Sequence, residues 1–117
     1  MMDFTERKVL IIVNIKPFGK IIPAEGWRAA VGMFGMDHES QILFIGDGVY
    51  GLIKDQDIVP IRMFKSTFES FDGRILVSKK SLVERQIDPS EIFEEAEVLD
   101  EENVAKAFVE NEVIITF

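Results

Sequence analysis

The stretch Lys8-Val-Leu-Ile-Ile-Val-Asn14, close to the start of the chain, decides the fold because it is an uninterrupted apolar run. A run without polar alternation is typical of a parallel strand that helices cover on both faces. A second run, Gln41-Ile-Leu-Phe-Ile45, follows after an interval long enough for a loop and a helix. Two buried strands joined in this way predict a right-handed βαβ unit.

The interval between these strands predicts a loop from Lys16 to Pro23 and a helix from Ala24 to Met36. Three glycines weaken this helix unless they permit close packing against the sheet. Further along the chain, the predicted elements are a helix over 62–71, a strand over 73–77, a helix capped by Ser78 that runs to Arg85, a strand over 96–99, a helix over 101–111 capped by Asp100, and a strand over 113–117. This alternation predicts one doubly wound α/β domain over residues 1–117 with a mostly parallel sheet.

Composition excludes several classes of protein. The 117 residues are 47% hydrophobic and contain no cysteine, which excludes disulfides, thiolate metal sites and a cysteine nucleophile. The first residues are polar, and no apolar run approaches the ~20 residues of a membrane helix. We therefore expect a cytoplasmic protein without a signal peptide or a membrane association.

Charge is distributed unevenly along the chain. The net charge is −8, with +1 over residues 1–87 (12 basic, 11 acidic) and −9 over residues 88–117 (1 basic, 10 acidic). Direct nucleic-acid binding is not expected, because it requires clustered cations. The acidic third is either a solvated face or a docking surface for a basic partner.

Familiar chemistries of this architecture fit poorly. Ligands of open α/β sheets bind beyond the carboxyl ends of the strands, but the turn Asn14 to Gly19 has one glycine, and its Pro17 lacks an amide proton for a phosphate. His38, the single histidine, is predicted in a solvated turn at the opposite edge, which disfavours zinc and a Ser-His-Asp triad. We expect no metal site, no cofactor and no catalytic residue.

Two features at the carboxyl edge remain open. The turn Gly46-Asp47-Gly48 either is structural or exposes the Asp47 carboxylate. In the second case Asp47 would line a cleft with Lys16, Phe18 and Tyr50. Ser78 follows a strand and begins a helix, where capping is favoured over nucleophilic attack because no base is adjacent.

Several segments together resemble the DsrE/DsrF-like sulfur-relay family, most closely its DsrF/TusC branch. They are the first strand, Phe44-Ile-Gly-Asp-Gly-Val-Tyr50, Ser81-Leu-Val-Glu-Arg85 followed by Ile87-Asp-Pro89, and Val113-Ile-Ile-Thr-Phe117. The resemblance covers nearly the whole chain in order. It implies a flavodoxin-like, three-layer domain with five strands. It also implies assembly with itself or with DsrE/TusD-like and DsrH/TusB-like subunits.

Relatives in this family pass persulfide sulfur between proteins, for tRNA 2-thiolation or for sulfur oxidation, and many carry a cysteine at the position of Ser78. A hydroxyl cannot take that role, because the carrier must be a thiolate. Gln86 also stands where the family leads us to expect a glycine.

Two functions follow as hypotheses. The first is a non-catalytic subunit of a sulfur-relay assembly. Its candidate interface lies on the predicted helix over 62–71, at Met63, Phe64, Phe68 and Phe71, unless this apolar stripe belongs to the core. The alternative is a stand-alone homo-oligomer that binds a small ligand at the strand ends. A hydrolase or transferase that uses Asp47 as its base is the least supported, because no partner would tune that carboxylate.

Overall fold

A computed structural model of the chain describes residues 6–16, 22–54, 56 and 58–117. Its strands are β1 (Lys8–Val13), β2 (Glu39–Phe44), β3 (Arg74–Ser78), β4 (Ala96–Leu99) and β5 (Val113–Thr116), and its helices are α1 (Ile22–Gly35), α2 (Arg62–Ser70), α3 (Lys79–Glu84) and α4 (Glu101–Glu110). Two 3₁₀ helices are also present, at Gly46–Leu52 and Pro89–Glu91, and the first begins at the predicted turn Gly46-Asp47-Gly48. Within these described ranges, none of the helices is long and apolar enough to cross a membrane.

The five strands form one sheet in the order β4-β3-β2-β1-β5, and every neighbouring pair is parallel. The predicted α/β class with a parallel five-stranded sheet between helical layers is therefore confirmed. The strand order differs from the 2-1-3-4-5 order of flavodoxin itself. Because β1 to β4 are laid down in one direction, right-handed crossovers place α1, α2 and α3 on one face, and the return from β4 to β5 places α4 on the other.

Alternate side chains of β1 enter two separate cores. Val9, Ile11 and Val13 face α1 and α2 in the larger core. Leu10 and Ile12 face α4 in the smaller one. The larger core centres on Trp27, Phe44 and Phe68; the Trp27 ring centroid is 5.7 Å from that of Phe44 and 5.9 Å from that of Phe68.

The glycines of α1 do not share one role. A Cβ atom at Gly26 would lie 2.9 Å from Val13 Cγ2, so this glycine permits close packing on the sheet. Gly32 and Gly35 face open space, and the packing alternative is wrong for them. The helix forms despite them because Trp27 and Ala30 bury its inner face.

Three helices end in the same backbone motif. The amide of Ile87 donates to the carbonyl of Leu82 at 3.0 Å across the end of α3, and α1 and α2 close with equivalent bonds of 2.9 and 3.1 Å. Such Schellman endings need a residue with positive φ, usually glycine. Here the position is held by Asp37 (φ 62°), Asp72 (φ 60°) and Gln86 (φ 55°). The positive φ at position 86 thus explains why a glycine is expected there.

Candidate functional site

The carboxyl edge of the sheet is built first by the turn after β2. Gly46 has a positive φ of 53° and directs the chain into the 3₁₀ helix. Gly48 then lies against the end of β1, where an added Cβ would be 2.0 Å from the carbonyl oxygen of Val13. Because only glycine fits at that distance, the sequence Gly46-Asp47-Gly48 has a structural reason at both glycines.

Ser78 is the last residue of β3 and the N-cap of α3, and the capping prediction is confirmed. Its Oγ accepts a hydrogen bond from the amide of Ser81 at 3.1 Å, and the residue is only 8% exposed. The hydroxyl of Ser81 in turn accepts from the amide of Gly46 at 2.9 Å. These two bonds join the ends of β2 and β3, so the hydroxyl of Ser78 is already used in the fold.

Arg85 holds the Asp47 carboxylate. Its Nε and Nη2 both lie 3.1 Å from Oδ1 of Asp47, and its Nη1 donates to the carbonyl of Ser81 at 3.2 Å. Sequence reasoning missed Arg85; the available signal was its place four residues after Ser81, on a helix that begins at this edge. A carboxylate engaged by a guanidinium is not a free base, which removes support from the hydrolase hypothesis.

The predicted cleft is brought together only in part. Lys16 Nζ lies 5.8 Å from the ring centroid of Tyr50, which is within cation–π range. Tyr50 itself packs against the larger core. Asp47 is bound to Arg85 instead, and Phe18 lies outside the described residues.

The candidate interface on α2 divides between core and surface. Phe68 is fully buried, so the expectation that it contacts a partner is corrected, and Phe64 is partly buried against the same core. Met63 is 77% exposed and Phe71 is 49% exposed. The reason is helical periodicity: residues four apart share the face that packs on α1 and the sheet, and Met63 lies off that face.

A second charged cluster ties α2 to the segment before β4. The ammonium of Lys65 contacts the carboxylates of Glu69 and Glu95, the latter at 3.3 Å, and lies 4.8 Å from the ring centroid of Phe93. A hydrogen bond from its own backbone amide, helped by Lys65, lowers the pKa of Glu95. This cluster was also missed, since nothing in the sequence pairs residues thirty positions apart.

Arg74 and Glu97 pair across β3 and β4 near the amino edge. Arg74 Nε and Nη2 donate to the two oxygens of Glu97 at 2.9 and 2.8 Å. These bonds lower the pKa of Glu97 and raise the pKa of Arg74.

The amino edge also carries an open groove of about 680 Å³, lined by Glu6, Phe34, Asp37, His38, Glu39, Phe71 and Asp72. His38 lies in the turn before β2, at the edge opposite Ser78, as predicted. Its Nδ1 accepts a hydrogen bond from the amide of Arg7 at 3.1 Å. Over the ranges the structure describes, no group of three or more His, Asp or Glu side chains is placed to hold a metal ion.

Comparison with known proteins identifies relatives of this fold. The model of the DsrE/DsrF-like family matches residues 7–117. The crystal structure of the ychN protein from E. coli superposes with a TM-score of 0.80 at 14% identity, covering 97% of this chain and 100% of that one. The structure of MTH1491, a protein of unknown function from Methanobacterium thermoautotrophicum, gives a TM-score of 0.70 at 15% identity, with coverages of 97% and 100%. At these identities the two structures establish the fold alone. A search of curated proteins gives no match.

Proposed function

The chain belongs to the DsrE/DsrF-like family, and on that premise we propose that it is a non-catalytic subunit of a sulfur-relay assembly. In this proposal it takes the place of a DsrF/TusC-like chain in the cytoplasm. It acts by contact with DsrE/TusD-like and DsrH/TusB-like subunits, and the persulfide is carried by a partner's cysteine.

The position of Ser78 carries this proposal. A sulfur carrier needs a thiolate nucleophile, and the chain has no cysteine at this or any other position. The serine that stands there is buried, and its oxygen caps α3. Ser78 therefore has a structural role and offers no group that could accept sulfur. This supports a role for the chain in assembly and not in sulfur transfer.

Met63 is the best candidate for the contact with a partner. Its side chain is apolar, flexible and mostly exposed in the first turn of α2, properties that suit an adaptable protein interface.

Multi-angle light scattering tests the proposal directly. We expect a defined mixed complex when the purified chain is combined with a cysteine-bearing DsrE-like protein from the same genome. Met63→Lys should weaken that complex, whereas Val109→Lys, an equally exposed apolar position on α4, serves as the matched control. A stable homo-oligomer that ignores the partner would reject the subunit role.

The alternative, a small ligand at the strand ends, keeps one supporting observation. Lys16 and Tyr50 lie together at the carboxyl edge and could receive an anionic or aromatic group. Under this alternative, Tyr50→Leu should abolish a ligand-dependent rise in melting temperature, while light scattering shows the same oligomeric state as the wild type.

A further inference from the structure

The groove at the amino edge has an aromatic floor. The rings of Phe34 and Phe71 stack with centroids 5.2 Å apart and planes inclined by 12°. Phe34 belongs to the periphery of the larger core, but Phe71 is 49% exposed beyond the last residue of α2. About half of the surface of Phe71 therefore stays accessible at the groove or to the solvent.

The rim of this groove is acidic. Four carboxylates line it, from Glu6, Asp37, Glu39 and Asp72, and no Lys or Arg is among the lining residues. Within the described part of the chain, none of the four is in an ion pair. Glu39 acts at longer range on Arg74, whose pKa it helps to raise.

Two helix ends add to the negative potential. Both α1 and α2 end beside the groove, and Asp37 and Asp72 lie in the turns that follow their last residues. The carboxyl end of a helix dipole is negative, and the Schellman bonds at these two ends occupy only part of the terminal carbonyls. The two helix ends and the four carboxylates therefore both make the electrostatic potential of the groove more negative.

We propose that this groove binds an arginine-bearing segment of a partner protein. A guanidinium is flat, so it can stack on the exposed ring of Phe71, and its N–H groups can donate to the rim carboxylates at the same time. The carboxylates of Asp37 and Asp72 line the same groove as the two rings, which favours a cation and disfavours an acidic segment by repulsion. A size of about 680 Å³ accommodates a side chain with its adjoining backbone.

This inference is independent of the sulfur-relay assembly. Met63 and Phe71 lie at opposite ends of α2, about 12 Å apart along its axis. Loss of the groove would leave the Met63 surface in place, so failure of one proposal can be told from failure of the other.

Titration by nuclear magnetic resonance provides the test. The isotopically labelled chain is titrated with acetylated, amidated Gly-Arg-Gly-Arg-Gly and with its lysine counterpart. We expect shifts at the amides of the groove and about threefold tighter binding of the arginine peptide. Asp37→Asn with Asp72→Asn should weaken binding about five- to tenfold. Asparagine is suitable because it tolerates positive φ. Phe71→Leu should abolish the preference for arginine.

The matched control is Glu94→Gln with Glu102→Gln, which removes the same charge from exposed positions outside the groove. Melting temperatures verify that every variant is folded. Equal weakening by the control pair would show non-specific attraction and overturn the proposal. Absence of binding, or chemical-shift changes located outside the groove, would also overturn the proposal. Spermidine that shifts the same amides with equal affinity would overturn it too, because the ligand would then be a free polyamine.

Discussion

The carboxyl edge of the sheet and the groove at its amino edge use their polar residues in opposite ways. At the carboxyl edge, Ser78, Ser81, Asp47 and Arg85 form hydrogen bonds with one another or with nearby backbone. At the amino edge, the groove carboxylates are in no ion pair with a described residue. The polar groups at the edge where this architecture usually binds ligands are therefore bonded within the fold, whereas the groove at the opposite edge keeps carboxylates that pair with no described cation.

This difference bears on how the chain works. Polar groups that satisfy one another stabilise the fold but have little capacity left for a substrate. Exposed charge beside an exposed ring contributes little to stability and is available for recognition. Variants at the carboxyl edge should therefore change stability, and variants at the groove should change binding.

The largest effect is expected for Gly48→Ala. The new Cβ would lie 2.0 Å from the backbone oxygen of Val13, which no side-chain movement can relieve. We expect a loss of about 3 kcal/mol in the free energy of unfolding, measured with urea. Gly32→Ala is the matched control, since its Cβ meets open space in a helix and should stabilise by about 0.5–1 kcal/mol. Equal effects of the two changes would contradict the close packing at Gly48.

Arg85→Met should have the next largest effect on stability. It leaves Asp47 without its guanidinium and removes the bond to the Ser81 carbonyl, at a cost of about 2 kcal/mol. Arg28→Met breaks an exposed pair with Glu25 and should cost less than about 0.5 kcal/mol. A double-mutant cycle with Asp47→Asn measures the coupling between the two residues.

Asp47→Asn alone should leave the oligomeric state unchanged, and loss of assembly in that variant would show that the turn shapes the interface.

Gln86→Gly should stabilise the protein by about 1 kcal/mol. Glycine has no Cβ to oppose the φ of 55° at the end of α3, and the side chain of Gln86 is exposed. Thermal and urea unfolding give the measurement. Asp37→Gly should stabilise to a similar extent, but it also removes a groove carboxylate, so only that variant should weaken peptide binding. A loss of stability in Gln86→Gly would mean that the Gln86 side chain makes a stabilising contact.

Much of the fold can be predicted from the sequence because local signals agree with the tertiary structure. Continuous apolar runs mark β1 and β2, and Asp100 and Ser78 mark the starts of helices by their capping chemistry. Strand order is harder to predict, because nothing local states that β5 pairs with β1 and leaves β4 at the other edge.

The candidate site could be predicted less well, because its residues are joined by contacts between distant segments. Asp47 and Tyr50 were found from a turn motif, but the partner of Asp47 is thirty-eight positions away, at the C-cap of α3. The stripe on α2 could not be divided into core and surface by periodicity alone, since both Phe68 and Phe71 are apolar. The groove was not predicted, because Phe34 and Phe71 belong to different helices whose ends meet only in the folded chain.

The smallest effect concerns pH and the exposed pair at the amino edge. Hydrogen bonds from Arg74 hold the pKa of Glu97 below its ordinary value of 4.5. Its stabilising contribution is therefore complete above that value and is lost as the pH falls through the lower, folded-state pKa. Both side chains are about half exposed, so we expect about 0.5 kcal/mol. Glu97→Gln should be less stable than the wild type by that amount near pH 6, and the difference should shrink in urea unfolding as the pH falls through the folded-state pKa of Glu97. The exposed Glu94→Gln provides the control. A difference for Glu97→Gln that persists unchanged at low pH would show that its cause is packing against Arg74 and not charge.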